Sequence, residues 1–218
     1  MLHHSTEVRF VNSEIGYGIF ATEPIPKGTI VVYEDPLDIE VTPDKFASLD
    51  VNFREMIDFF AYVNMEGNVV LNWNNAKYIN HSCDFNTLIT GYAVSIAVRN
   101  IAEGEEITLD YALLDACFKS NDRTYAVCKC GSQNCRKDIR AVNYKTYSPI
   151  WFSRMTEALN CALDVRQPLL DFMDSESKEN LINALQSNPD YSQFQLVLIQ
   201  QRQANFYEKW GKLLAEIG

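Results

Sequence analysis

Three cysteines fall within eight residues of this 218-residue chain: Cys128, Cys130 and Cys135, in a C-x-C-x4-C pattern. Thiolates spaced this closely suit a tetrahedral metal site, and zinc is the usual occupant. Such a site takes four ligands. Cys83, in the run Asn80-His81-Ser82-Cys83, is the candidate for the fourth. A segment this short has little core of its own, so metal binding would supply its folding energy. Cys117 and Cys161 read as free thiols. A disulfide framework is not expected, because Met1-Leu2-His3-His4-Ser5-Thr6 lacks the basic region and apolar core of a secretory signal. His3 and His4 read as a mobile terminus.

Composition excludes several classes. Hydrophobic residues make up 47% and charged residues 22%, which are ordinary globular values and argue against disorder. The formal net charge of −10 disfavours direct nucleic-acid binding, which needs Lys and Arg against phosphates. It suits a basic peptide or simple solubility equally. Most of the acidity lies in residues 1–140, with 20 acids against 12 bases. No apolar run approaches the ~20 residues that cross a membrane, so a membrane location is not expected. Cytoplasm and nucleus both stay open.

The pattern up to about Asn143 is of short apolar runs cut by turn residues. Thr29–Tyr33, Val69–Leu71 and Ala93–Val98 read as strands of several small sheets. Pro43–Tyr62 reads as a helical insert, with Phe53, Met56, Ile57 and Phe60 at helical spacing. Beyond Asn143 the periodicity is helical. Pro149–Met173 is broken near Gln167-Pro168, Asp174 or Ser175 is placed to cap a second helix through Leu185, and Asn188-Pro189 to open a third. The third helix carries the stripe Tyr191, Phe194, Leu198, Phe206, Trp210, Leu213 and Ile217, interrupted at Arg202. The aromatics read as core. The fold class is therefore α+β: a β-rich unit at 1–141 with a helical insert at about 43–62 and a cysteine segment at about 128–141, then an all-helical lobe at 142–218.

Two further patterns are weak alone. Gly16-Tyr17-Gly18 is an ordinary tight-turn sequence, and Gly104-Glu105-Glu106 through Asp110-Tyr111 an ordinary strand end. In order with Asn80-His81-Ser82-Cys83 and Cys128-x-Cys130-x4-Cys135-Arg136, they resemble the SET-domain protein lysine methyltransferases over roughly residues 7–141. The resemblance implies a fold of small curved sheets with knot-like threading, which brings the Asn-His segment against the segment ending in tyrosine. It implies S-adenosylmethionine as methyl donor and one structural zinc at Cys83, Cys128, Cys130 and Cys135. Gly16, Tyr17 and Gly18 would let the backbone approach the donor, Asn80 and His81 would hydrogen-bond it, and Tyr78 and Ile139 would pack against it. Tyr111 would be the catalytic tyrosine, with Tyr62 a candidate second tyrosine of the lysine channel.

The chemistry is consistent with these roles. A free lysine has a pKa of about 10.4 and must lose a proton before it attacks a methyl group. Burial in a narrow channel favours that loss. Alignment does the rest, so no enzyme nucleophile or general-base histidine is needed.

Some positions depart from the family pattern. Lys77-Tyr78-Ile79 stands where Arg-Phe usually precedes Asn-His, which loses a guanidinium fork. Leu109 stands where Phe or Tyr often limits methyl number, which suggests room for more than one methyl. Lys137 replaces the glycine usual after Cys-Arg. The connector from Ala112 to Val127, with Asp115, Phe118, Asp122 and Tyr125, is a candidate cleft lining. The substrate would be a protein lysine, in a histone tail or another protein. A non-catalytic partner-binding module and a small-amine methyltransferase are the alternatives. The helical lobe is left, by elimination, as the seat of partner choice or homodimerisation.

Overall fold

The computed structural model describes residues 1–34, 36–113, 127–139, 144–187 and 191–217. Candidate residues Cys117, Asp115, Phe118, Asp122 and Tyr125, and the Asn188-Pro189 cap, lie outside the described residues.

The main sheet holds β1 (Thr6–Asn12), β2 (Gly16–Ala21), β3 (Ile30–Tyr33), β7 (Asn80–His81), β8 (Thr87–Ile89), β9 (Val94–Ala97) and β10 (Glu106–Leu109). Its order is β1-β2-β10-β8-β9-β3, with β7 also paired to β10. A second sheet pairs β4 (Ile39–Val41), β6 (Val69–Leu71) and β5 (Tyr62–Val63). Two pairings, β10 with β7 and β10 with β8, are parallel and the rest antiparallel. The class is α+β, as the sequence pattern requires. Strand β3 reads Ile-Val-Val-Tyr and is buried along its length, which explains its lack of alternation. Strand β1 is an edge, and its exposed Glu7 and Arg9 discourage pairing with another chain.

The insert is helical and made of two helices, α1 (Pro43–Ser48) and α2 (Val51–Phe60). Thr42 caps α1 by accepting from the Lys45 N–H, and Asp50 caps α2 by accepting from the Asn52 N–H. Tyr62 falls beyond the insert, on β5. The expected apolar stripe of α2 is also corrected. Ile57 is buried, but Phe53 and Met56 are exposed, because only one narrow face of the short helix meets the core.

Three long helices follow: α3 (Tyr144–Cys161), α4 (Ser175–Ser187) and α5 (Tyr191–Ile217). Helix α3 runs through Pro149, so that proline does not open it. The Asp174 carboxylate accepts from the Ser177 N–H and caps α4. These helices share cores with the sheets. Trp151, Met155 and Leu159 of α3 pack on Phe85, Leu88 and Ile96. Leu181 of α4 packs with Leu169 and Met173 on Ile30, Tyr33 and Val94. Phe206 and Trp210 of α5 pack on Val41, Phe46, Ile57, Val63 and Val69. Two glycines permit this closeness. A Cβ at Gly67 would lie 2.4 Å from the Asn205 carbonyl carbon, and one at Gly28 would lie 2.9 Å from that of Cys161. Both glycines also have positive φ, at +77° and +93°.

The N-terminus is pinned, not mobile. Leu2 bridges Val32, and the His3 N–H donates to the Val31 carbonyl at 2.8 Å. His3 is buried because its main chain extends the edge at β3. Among the described residues, no helix is long and apolar enough to cross a membrane.

Candidate active site and cysteine cluster

Parallel pairing assembles the site. Thr108 of β10 faces Asn80, and Leu109 faces His81. Chain that is far apart in sequence therefore emerges side by side, with Tyr111 two residues further on. The Tyr111 hydroxyl donates to the Ile79 carbonyl at 2.6 Å, and its N–H donates to His81 Nδ1 at 3.2 Å. Asn80 Nδ2 donates to the Tyr17 carbonyl at 3.0 Å and to Glu106 Oε1 at 2.7 Å. Both bonds tie the Gly-Tyr-Gly strand to β10.

Gly16 and Gly18 differ in kind. Gly16 has φ +84°, and a Cβ there would meet no atom within 4 Å, so its backbone borders open space. At Gly18 a Cβ would lie 2.4 Å from Glu106 Oε1, so a side chain there would have to displace the carboxylate that accepts from Asn80. Tyr17 is half exposed, and its ring lies 5.9 Å from that of Tyr78, which in turn meets Phe60 at 5.6 Å. The Lys77 ammonium sits over the Tyr78 ring at 5.5 Å, a use of the cation at this position that needs no guanidinium.

A cavity of about 80 Å³ is lined by Tyr111. Tyr111, Leu109, Tyr62, Phe60, Asn72 and Glu34 are among the residues that line it. The two predicted tyrosines thus share one channel. The Tyr62 hydroxyl is buried and makes no hydrogen bond of normal geometry among the described residues, although it faces Glu34 and Asn72. Burial first, and then the Glu34 charge, push its pKa well up. Burial pushes Glu34 up to about 7, opposed by Tyr62 and by Arg202 of α5 and reinforced by Glu66 and Asp38. Arg202, the interruption in the α5 stripe, is itself buried.

The cysteines gather beside this channel. One ligand atom each from His81, Cys83, Cys128 and Cys130 lie within 4.8 Å of one another. Cys83 Sγ is 3.6 Å from Cys128 Sγ and 3.3 Å from His81 Nε2. Cys135 adjoins the cluster through Cys128, whose carbonyl lies 3.7 Å from its Sγ. Burial raises the Cys128 and Cys83 thiols. Burial also opposes ionisation at Cys130, but donors from Ser132 and the Cys83 N–H outweigh it and lower the pKa to about 6. Soft sulfur donors with one imidazole form a set that suits zinc. Ile139 ends this segment, next to the bridge of Val127 with Asp138. Lys137 adopts φ +64°, the left-handed conformation that accounts for glycine being usual at this position.

Asp110 joins the parts. Arg136 donates to it twice, at 2.6 Å each, and Trp151 Nε1 of α3 donates at 2.9 Å. The Ala112 N–H adds a fourth bond at 3.1 Å. Asp110 is 1% exposed, so the cysteine segment, the tyrosine turn and α3 share one buried carboxylate. Sequence reading missed Asp110, Trp151 and Glu34. The available signals were an acid directly before Tyr111 and an acid directly after an all-apolar strand.

A protein-family profile described as SET domain matches residues 16–112. Residues 16–112 form a SET domain. The cysteine segment and the helices α3–α5 lie beyond the matched residues. The chain is 26% identical over 195 residues to a putative histone-lysine N-methyltransferase, ASHH4, of Arabidopsis thaliana, covering 83% of this chain and 52% of that protein. It is 31% identical over 131 residues to the histone-lysine N-methyltransferase trithorax of Drosophila virilis, covering 56% of this chain and 3% of that protein. The chain thus spans about half the length of the first relative and a small part of the second. Among solved structures, the methyltransferase domain of human histone-lysine N-methyltransferase SETMAR is 19% identical, with a TM-score of 0.45 over 64% of this chain and 58% of that one. Within this chain, Asp110 and the shared cores tie the cysteine segment and α3 to the matched region.

Proposed function

We propose that this chain transfers methyl groups from S-adenosylmethionine to the side-chain amine of lysine in a protein, a histone or another. The observation that carries the reading is the narrow cavity holding Tyr111 and Tyr62 beside the Gly16–Asn80 segment. The SET-domain match and the names of the relatives support it. The open space at Gly16, next to Tyr17 and Tyr78, fits a bound donor there, with Gly18, Asn80, His81 and Ile139 as further contacts. S-adenosylmethionine supplies an electrophilic methyl group when bound.

The chain's own residues do the positioning. The cavity strips water from the incoming amine and favours its neutral form. Tyr111, held by the Ile79 carbonyl and His81, orients the amine, and Tyr62 faces it across the channel. Aromatic walls such as Phe60 tolerate the methylated cation. Leu109 offers no hydrogen bond to hold the amine in one orientation, so addition of more than one methyl is expected. Zinc would be held by Cys83, Cys128, Cys130 and Cys135, with His81 at the edge of the same cluster. Its role is structural.

The test is transfer of tritiated methyl from S-adenosylmethionine to core histones and to whole-cell lysate. Label on a protein band, reduced about 10²-fold by Tyr111→Phe, is the expected result. Donor binding without protein label would redirect the reading to a small amine. Loss of both in zinc-replete protein would leave a partner-binding module. Mass measurement of the product at end point tests Leu109, and a single added methyl would overturn that part.

A further inference from the structure

The channel contains an acid for which alignment alone has no use. Glu34 follows β3, and its N–H donates to the Ala93 carbonyl at 2.8 Å, which fixes its main chain. It is the one acid among the described residues lining the narrow cavity. Lys77 is the one base there, and its ammonium is engaged over the Tyr78 ring. Glu34 also lines a second, more open cavity with Asp38 and Glu40. It therefore stands in the partition between the channel and an acidic recess reaching solvent.

The groups facing it come from several elements. Tyr62 of β5 and Asn72 after β6 lie on the channel side. Asp38 before β4 and Glu66 in the β5–β6 turn add negative charge, and Arg202 of α5 opposes them. Burial leaves the acid protonated below about pH 7 and ionised above it.

We propose that Glu34 receives the charged amine of the substrate. Its carboxylate pairs with the incoming ammonium and takes one proton from it. The Nζ–H bond breaks, its electron pair stays on nitrogen, and an O–H bond forms on Glu34. The proton then passes to water through the recess at Asp38 and Glu40. The inference rests on the methyltransferase reading for its consequence, but the cation site can be tested separately. It gives the channel a reason to prefer lysine over a neutral side chain of equal length, because the carboxylate attracts an ammonium far more strongly than a neutral group in a low-dielectric channel.

The probes are n-butylammonium, a stand-in for the lysine side chain, and neutral n-butanol. Both are titrated into the full chain by NMR at pH 6 and pH 8. Wild type should bind n-butylammonium about tenfold more tightly at pH 8 than at pH 6, with n-butanol unchanged. Glu34→Gln should abolish that pH dependence and the preference for the cation. Glu34→Asp, which keeps the charge, should retain both in weaker form, and melting curves of each variant report folding. Preference for the cation that survives Glu34→Gln, or absence of any preference in folded wild type, would overturn the inference. In the transfer assay, wild-type activity should rise through about pH 7, and that rise should be lost in Glu34→Gln. A cation site lost with Glu34 but no methyl transfer to any protein would sink the methyltransferase reading while leaving the site standing. Transfer with an unaltered pH profile and unaltered n-butylammonium binding in Glu34→Gln would sink the inference alone.

Discussion

The cysteine segment and the α5 contact hold together by different physics. Residues 127–139 contribute one buried apolar side chain, that of Cys128. Their attachments are heteroatoms: thiols around Cys83 and the Arg136 fork on Asp110. Helix α5 instead buries Phe206 and Trp210 against α1, α2 and the small sheet, with ring stacking at 5.8 Å between the two. Few atoms with directional bonds fix the first, and many weak contacts fix the second. The first should fail all at once when one donor is lost, and the second should lose stability in proportion to the area removed.

The largest separation of the two is expected from Cys128→Ser. Bound zinc, measured by elemental analysis, should fall to background, removing up to about 10 kcal/mol of metal-linked folding energy from the segment. Hydrogen exchange should accelerate at Cys128, whose N–H donates to the Lys137 carbonyl, and stay slow in α5. Retained zinc would break the comparison.

Trp210→Ala should reverse the pattern. Thermal unfolding should report a loss of about 3–5 kcal/mol with zinc content unchanged. Asp110→Asn follows at about 2–3 kcal/mol, because Arg136, 5% exposed at its side chain, is left without its carboxylate. This variant should disturb both the segment and α3, and a metal affinity equal to wild type would show that the network does not couple them.

A smaller effect, of about 1–3 kcal/mol, belongs to Glu34→Gln and depends on pH. The folded pKa of Glu34, about 7, lies above its ordinary 4.5. The native state therefore holds this proton more tightly. That contribution is full below about pH 4.5 and is lost as pH rises through 7. The stability of Glu34→Gln relative to wild type should accordingly increase from pH 4.5 to pH 8, measured by urea unfolding, and a constant difference would refute the burial of this charge. The smallest effect is set by Lys129, whose ammonium pairs with Glu14 at the exposed surface. Lys129→Ala should change stability by less than about 1 kcal/mol.

Local chemistry made part of the molecule readable. The close thiols were readable as a cluster, of which Cys128 and Cys130 gather with Cys83 and His81 while Cys135 adjoins it, and β-branched runs announced β3, β6 and β9 to within a residue or two. Asp174 was legible as a cap because capping acts within three residues. The α2 stripe misled, since Phe53 and Met56 have the right spacing but no neighbour to bury them. Arg202 looked like a break in the α5 stripe and lies in the core beside an acid from β3's end.

The sequence by itself determined the ordered motifs, the element types and the chemical kinds of donor, because these depend on spacing of a few residues along one segment. Only the tertiary structure decided that Asp110 binds both Arg136 and Trp151, that Arg202 packs into the core, and that Glu34 lines the cavity of Tyr111 and Tyr62. Those pairings depend on the parallel register of β7 with β10 and on where α3 and α5 close over the sheets. No local pattern encodes them, because each contact is fixed by the packing of the whole chain rather than by its own neighbours in sequence.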